Sequence, residues 1–193
     1  MKKMPPASSL KIGTRGSPLA LAQAVETRTS LMNFWNLPEK AFEIVVIQTS
    51  GDRIQDRSLR SAGGKGLFVN EIEDRLLNGS IDIAVHSMKD MPTVQPDGLL
   101  MDTYLPREDV RDAFISNTVK AITDLPKGCR VGTSSLRRRA QLLHIQPDLE
   151  VVEFRGNVQT RLKKLADGIA DCTFLAMAGL NRLDMSNIVK MAI

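Results

Sequence analysis

Short apolar runs and longer amphipathic stretches alternate along the chain, with glycine, serine or threonine between them. Short runs rich in β-branched residues indicate strands, and apolar positions three or four residues apart indicate helices. In the first half of the chain, this pattern predicts strands over 10–14, 42–48 and 81–87 and helices over 19–34 and 66–78. Such alternation of strands and helices is typical of an α/β domain.

The same alternation starts again after a charged segment over 106–112. We expect two α/β domains, 1–105 and 106–193, and small ligands usually bind in the cleft between two such domains. The residues that would return to complete the first sheet are not in the sequence, so we expect a longer parent protein. In the second domain the pattern predicts strands over 113–116, 130–132, 150–154 and 172–176 and helices over 136–145, 158–167 and 181–193.

Arginine follows the first predicted strand, just before a helix. Ser17 is a suitable N-cap for that helix and Pro18 suits its first turn. Free backbone N–H groups at such a helix N-terminus bind carboxylates or phosphates, and Arg15 can add a bidentate contact. A surface arginine beside a capped helix explains this turn equally well.

The strongest chemical signal is a second turn of this kind, over 132–139. Cations at a helix N-terminus oppose the helix dipole unless an anion compensates them, so this turn predicts an anionic ligand. Arg155, Gly156 and Arg161 repeat the arrangement after the next strand, and several guanidinium groups at one sheet edge favour a polyanion. The residues of the first of these turns that we expect to bind ligand are Thr133, Ser134, Ser135, Arg137 and Arg138.

A cluster of polar residues follows the buried strand over 81–87, and strand ends are where α/β proteins place catalytic residues. Asp90 is expected to stay ionised beside Lys89, since a nearby cation stabilises a carboxylate, and to be able to hold a positive intermediate. His86 is a possible proton carrier. A hydrogen-bonded structural imidazole is the favoured interpretation, so His86 stays outside the predicted catalytic set.

A glycine-rich loop over 63–66 precedes the second predicted helix and contains Lys65, with Phe68 just after it. It is not a nucleotide-binding P-loop, because that motif needs serine or threonine after the lysine, where this chain has Gly66. A mobile loop over the cleft and a simple flexible connection both remain open.

Composition narrows the classes of partner and compartment. A net charge of +4 is mild, and with only 4% aromatic residues the chain lacks the stacking surface of a nucleic-acid binder. No apolar run approaches the roughly 18 residues of a membrane helix, and the N-terminus lacks the apolar core of a secretory signal. Cys129 and Cys172 show no metal or redox spacing, so we expect two reduced, buried thiols. A cytoplasmic monomer without a metal is expected.

Seven segments of the chain, in order, resemble the porphobilinogen deaminase family: TRGSPLALAQA, GGKGLFVNEIE, DIAVHSMKDMP, REDVRDAF, VGTSSLRRRAQL, FRGNVQTRL and LAMAGLNRL. The resemblance implies two domains of the type II periplasmic-binding-protein kind, with mixed β-sheets flanked by helices, and a C-terminal third domain that is absent here. It implies that four porphobilinogens, each with an acetate and a propionate group, are joined head to tail into hydroxymethylbilane with release of ammonia. A dipyrromethane cofactor, held through a thioether to a cysteine of the third domain, primes this growth.

The resemblance also implies roles for residues. Asp90 would be the catalytic carboxylate, and Lys65 and Phe68 would lie on the family's mobile lid. Neither Cys129 nor Cys172 occupies the cofactor-attachment position, so this fragment alone is expected to be inactive. A non-catalytic polyanion-binding module of the periplasmic-binding-protein type is the rival interpretation. The residues implied to bind cofactor and substrate carboxylates are Arg15, Ser17, Lys89, Thr133, Ser134, Ser135, Arg137, Arg138, Arg155, Gly156 and Arg161.

Overall fold

The computed structural model describes residues 9–53 and 68–193, without the side chains of residues 52 and 53. These residues divide into two compact units at the bond between Pro106 and Arg107. None of the helices in the described ranges is long and apolar enough to cross a bilayer.

The first unit contains a parallel three-stranded sheet in the order β2-β1-β3. Because the strands are parallel, β1 and β3 end at the same edge of the sheet. This edge therefore receives the chain segments that follow both strands. The elements of this unit are β1 (Leu10–Arg15), α1 (Pro18–Trp35), β2 (Phe42–Ile47), α2 (Ser50–Arg53), α3 (Asn70–Leu77) and β3 (Ile83–Ala84).

Residues at both ends of helix α1 explain where it begins and ends. The Ser17 hydroxyl accepts a hydrogen bond from the Ala20 N–H, and Pro18 occupies the first turn, where a missing N–H costs nothing. The helix ends at Asn36, which adopts the left-handed conformation with φ of 55°. The predicted helix over 19–34 is thus confirmed to within one residue at each end.

The second unit contains a mixed five-stranded sheet in the order β6-β5-β7-β4-β8, with β4 antiparallel to both of its neighbours. Alternate residues of β4 point to opposite faces, which separates two cores, one around Phe154 and Leu180 and the other around Phe114 and Phe174. The elements are β4 (Asp112–Ser116), β5 (Arg130–Gly132), α4 (Leu136–Ile145), β6 (Glu150–Val152), α5 (Val158–Ala166), β7 (Cys172–Ala176), α6 (Met177–Arg182) and β8 (Met191–Ala192).

The predicted helix over 181–193 is wrong. Helix α6 ends at Arg182, and Asp184 takes a left-handed conformation with φ of 55°. The chain then forms the edge strand β8, where the Lys190 N–H donates to the Phe114 carbonyl and Ile193 exchanges two hydrogen bonds with Asp112. Pairing with β4 supplies backbone partners that a local helix would otherwise provide.

Three further predictions are too long by two residues or more, one of them the predicted strand over 150–154, which ends at Val152. The predicted strand over 81–87 pairs with β1 only at Ile83 and Ala84, so the segment after residue 85 is free to turn. The predicted helix over 66–78 begins at Asn70, because Phe68 and Val69 lie in a turn, and residues 66 and 67 lie outside the described residues.

Candidate functional site

Three predicted residues of the first unit meet beyond the ends of β1 and β3. Nη1 of Arg15 lies 3.9 Å from Oδ2 of Asp90, and the side chains are only 20% and 27% exposed. At this distance the two groups attract each other without a close hydrogen bond. On the other side, the guanidinium carbon of Arg15 lies 4.2 Å from the centroid of the Phe68 ring. The arrangement offers a carboxylate and a ring-stacked cation side by side.

Asp90 is held by a short 3-10 turn over Met88–Asp90. Its N–H donates to the Ser87 carbonyl at 2.9 Å. The Ser87 hydroxyl donates in turn to Oε1 of Gln23, on helix α1, at 3.1 Å. Helix α1 therefore fixes the turn that carries the carboxylate, while the neighbouring Lys89 is exposed to solvent.

Two hydroxyl groups complete this edge. The Thr14 hydroxyl is fully buried and points to the carbonyls of Ala20 and Val85, at 3.3 and 3.5 Å, which ties β1 to α1 and to the chain leaving β3. The predicted ligand Ser17 uses its hydroxyl to accept the Ala20 N–H, so in this structure it acts as the helix cap.

His86 is a partly buried imidazole beside the Arg15–Asp90 pair. Burial lowers its pKa below the ordinary 6.5; the Asp90 charge opposes this shift and the Arg15 charge reinforces it. Its Nε2 atom is buried without a hydrogen-bond partner among the described residues. A hydrogen-bonded structural imidazole is the interpretation that the sequence favours, and among the described residues Nε2 does not supply that hydrogen bond.

In the second unit, one carboxylate receives two predicted ligand arginines. Asp112 Oδ2 accepts from Arg137 Nη2 at 2.7 Å and from Arg138 Nε at 3.1 Å, and Oδ1 accepts from Arg138 Nη2 at 2.7 Å. Arg138 also donates from Nη1 to the Phe174 carbonyl at 2.6 Å and is only 12% exposed. Arg137 is 61% exposed, so it is the more accessible of the two.

A third and a fourth arginine follow β6. Arg161 donates from Nε to the Gly156 carbonyl at 2.9 Å, across the turn that starts α5. Burial lowers the pKa of Arg161, and the positive charges of Arg138 and Arg155 lower it further. The Arg161 guanidinium therefore lies within range of two other positive charges, an arrangement that an anion would stabilise.

The hydroxyl groups of the 133–135 turn build the local structure. Thr133 is 5% exposed and its Oγ1 accepts from the Ser135 N–H, while the Ser135 hydroxyl caps α4 by accepting from the Arg138 N–H. The Ser134 hydroxyl donates to Glu153 at 2.5 Å and accepts from the Phe154 N–H at 2.9 Å. These bonds set the entry angle of α4, which carries Arg137 and Arg138.

Two residues of this site were missed by sequence reasoning. Asp112 lies 25 residues before Arg137, and Gln23 lies 64 residues before Ser87, so no local spacing connects either pair. The one available signal for Asp112 was its place at the end of the charged segment over 106–112. Lys65, predicted on the lid, lies outside the described residues.

Among the described residues, the cysteines and the other potential metal ligands form neither a reactive thiol group nor a metal-binding cluster. Cys129 and Cys172 are both buried, and burial raises the pKa of each thiol, with a further rise at Cys129 from the Asp171 charge. Within residues 9–53 and 68–193, no three histidine, cysteine, aspartate or glutamate side chains are grouped as metal ligands.

Comparison with known sequences gives a family match over nearly the whole chain. Residues 10–193 match the family described as "Porphobilinogen deaminase, dipyromethane cofactor binding domain". A protein from Paracoccus denitrificans (strain Pd 1222), named "Porphobilinogen deaminase", is 64% identical over 194 residues. The alignment covers 100% of this chain and 62% of that relative, so the chain spans less than two thirds of the relative's length.

Comparison with solved structures gives the fold. A periplasmic substrate-binding protein of an ABC transporter from Coxiella burnetii superposes with a TM-score of 0.53 at 15% identity, covering 95% of this chain and 79% of that one. Immunogenic lipoprotein A from Vibrio vulnificus gives 0.50 at 13% identity, with coverage of 95% and 81%. At such identities the likeness concerns the fold alone, and the predicted type II periplasmic-binding-protein fold is confirmed, with a mixed sheet in the second unit and a parallel sheet in the described part of the first.

Proposed function

The chain belongs to the porphobilinogen deaminase family, and on that premise we propose that it carries the catalytic carboxylate and the substrate-binding arginines of a hydroxymethylbilane synthase. Such an enzyme joins four porphobilinogens head to tail and releases ammonia. One observation supports the proposal above the others. Arg138, Arg155 and Arg161 lie close enough for the first two charges to lower the pKa of the third.

A cluster of guanidinium groups suits a ligand that carries several carboxylates. Each porphobilinogen brings an acetate and a propionate group, and a growing oligopyrrole adds two carboxylates with every step. A hydrogen bond between charged partners contributes about 1.5 to 3 kcal/mol, so a few such contacts account for useful affinity. Porphobilinogen and its oligomers therefore match the donor set of the second unit in charge and in number of groups.

The same donor set fits the dipyrromethane cofactor, whose binding domain the family match describes. When bound, this cofactor supplies the pyrrole terminus on which the oligomer grows. We assign no attachment to Cys129 or Cys172, since both thiols are buried in the sheet of the second unit. The residues proposed to hold cofactor and substrate carboxylates are Arg15, Ser17, Lys89, Thr133, Ser134, Ser135, Arg137, Arg138, Arg155, Gly156 and Arg161.

Asp90 has the position and the charge for the chemical step. When ammonia leaves porphobilinogen with the electron pair of its C–N bond, the remaining pyrrole becomes a cationic azafulvene. A carboxylate that accepts the pyrrole N–H bonds stabilises this developing positive charge. Arg15, 3.9 Å from Asp90, is placed to bind a side-chain carboxylate of the same pyrrole, and the Phe68 ring over it limits the directions in which Arg15 can turn.

Calorimetric titration of the purified chain with porphobilinogen tests the binding part of the proposal. Arg161→Gln should weaken binding about tenfold or more, since it removes a charged contact. Lys163→Gln is the matched control, because it removes a cation from the same helix at an exposed site that pairs with Asp167. Lack of binding by the unaltered chain, or equal losses in both variants, would refute the proposal.

We also propose that the isolated chain lacks turnover because the cofactor-bearing cysteine lies elsewhere. Intact-mass measurement of the purified chain should show the unmodified polypeptide mass, and porphobilinogen should not be consumed. A dipyrromethane adduct on this chain together with porphobilinogen consumption would contradict this part of the proposal.

A further inference from the structure

Asp112 occupies a rigid position at the start of β4. It pairs with Ala176 of β7 on one side and exchanges two backbone hydrogen bonds with Ile193 on the other. Its side chain is only 12% exposed. A carboxylate held this firmly is a fixed reference point for whatever side chains bind to it.

Both oxygens of this carboxylate are used by arginines of α4. Arg138 forms a bidentate pair with Oδ1 and Oδ2, and Arg137 shares Oδ2. Burial by itself raises the pKa of Asp112, but the hydrogen bonds and charges of Arg138 and Arg137 outweigh it and hold the pKa below 3.8. Asp112 therefore remains charged, and both arginines remain paired, throughout the physiological pH range.

We propose that Asp112 is a positioning residue for carboxylate binding, which fixes the guanidinium groups of Arg137 and Arg138 before the ligand arrives. The inference rests on the function proposed above. An arginine side chain loses rotamer entropy when it is ordered, and a residue that orders it beforehand removes that cost from binding.

The surroundings of the two arginines distinguish this role from that of an ordinary structural ion pair. Arg137 is 61% exposed and gains little burial energy from the contact, yet it is held at 2.7 Å to the oxygen that Arg138 also uses. Arg138 is held at a place from which its charge lowers the pKa of Arg161. Asp112 thus fixes the position of the accessible Arg137 guanidinium. By holding Arg138, it also fixes one of the positive charges that act on Arg161.

Asparagine and glutamate at position 112 separate charge from position. Asp112→Asn keeps the shape but places an amide NH2 against a guanidinium donor, so at least one arginine loses its partner. Asp112→Glu keeps the charge but moves it by one methylene group. Asp167→Asn is the matched control, since it removes a carboxylate of the same unit from an exposed pair with Lys163.

The experiment measures dissociation constants by calorimetry for porphobilinogen and for benzene-1,2,4,5-tetracarboxylate, at a temperature where circular dichroism shows each variant folded. Asp112→Asn should weaken binding of both probes about tenfold, Asp112→Glu about threefold, and Asp167→Asn by less than about twofold. When Arg137 is already replaced by glutamine, Asp112→Asn should raise the dissociation constant by a factor about threefold or more smaller than it does in the unaltered chain. The reason is that part of the effect of Asp112 on binding acts through Arg137. A purely structural role would leave the two losses additive.

Each remaining outcome bears on the proposal. Unchanged or tighter binding by folded Asp112→Asn, or additive losses in the double-variant comparison, overturns the positioning role and leaves the proposed function standing. Failure of the unaltered chain to bind either probe overturns both. If Asp112→Asn does not fold, the affinity of Asp112→Glu tests the proposal instead. An affinity of Asp112→Glu equal to that of the unaltered chain would then overturn the positioning role.

Discussion

The guanidinium group of Arg15 lies over the ring of Phe68, with 4.2 Å between Cζ and the ring centroid. The ring shields one face of the guanidinium from water. Cation–π contacts contribute about 0.5 to 2 kcal/mol, and most when water is excluded. Phe68 therefore acts on the cation that stands next to Asp90.

Replacing Phe68 by leucine should weaken porphobilinogen binding about threefold, because the ring's attraction for the guanidinium is lost while apolar bulk is kept. Phe68→Trp, which offers a stronger π face, should bind at least as well as the unaltered chain. Phe34→Leu is the control, since Phe34 is 54% exposed and its ring makes an edge-to-face contact with Trp35. Calorimetric titration gives the dissociation constant of each variant for porphobilinogen. Equal affinities of the three variants would show that the contact between Arg15 and Phe68 does not contribute to binding.

Asp90→Asn should lower porphobilinogen turnover about a hundredfold or more, because the neutral amide cannot stabilise the cation left by ammonia. The measurement needs an enzyme with the full length of the Paracoccus denitrificans relative and an assay of released ammonia. Asp97→Asn, at an exposed position on the following loop, is the control. Turnover at the unaltered rate in Asp90→Asn would exclude Asp90 from the mechanism.

His86 should make the first unit less stable in acid. Its pKa in the folded state lies below the ordinary 6.5, so below pH 6.5 the unfolded chain binds a proton that the folded chain does not. The free energy of unfolding should therefore fall from pH 6.5 down to the folded-state pKa, and then level off as far as this group is concerned. Urea titrations from pH 7.5 to 5 measure it.

His86→Gln should flatten that pH dependence, whereas His144→Gln should leave it unchanged, since His144 is exposed on α4. These are the two histidines of the chain. An unaltered slope in His86→Gln would show that another group causes the acid sensitivity.

Gly156→Ala should destabilise the second unit by about 2 to 3 kcal/mol. Gly156 has φ of +121°, and an added Cβ would lie 2.5 Å from Thr160 Cγ2, so strain and collision both oppose the side chain. Gly168→Ala is the control with φ of +71° and no atom within 4 Å, for which about 1 kcal/mol is expected. Equal losses in urea unfolding would show that the contact with Thr160 relaxes freely.

The two thiols should resist modification in the folded protein. Cys129 and Cys172 are buried, and burial raises their pKa values, so little reactive thiolate forms at pH 8. A disulfide reagent such as dithionitrobenzoate should react slowly in buffer and rapidly with two equivalents in guanidinium chloride. Rapid reaction of either thiol in buffer would contradict the burial of that residue.

Much of the fold was predictable because its signals are local. The strands Arg130–Gly132 and Cys172–Ala176 and the helix Leu136–Ile145 have the predicted bounds, since apolar spacing and a serine cap act within a few residues. The turns that present Arg15, Arg137 and Arg161 were also identified from sequence, because each turn joins a predicted strand to a helix-starting residue.

Tertiary structure alone decided what depends on partners distant along the chain. Within the segment over 181–193, Met191–Ala192 form an edge strand because β4 has free backbone groups there, and no pattern local to that segment indicates this partner. Asp112 joined the arginines of α4 because the sheet places the start of β4 beside them. The sequence by itself determined which turns carry cations, whereas folding decided which carboxylates, rings and carbonyls meet those cations, since such contacts arise only when distant segments pack together.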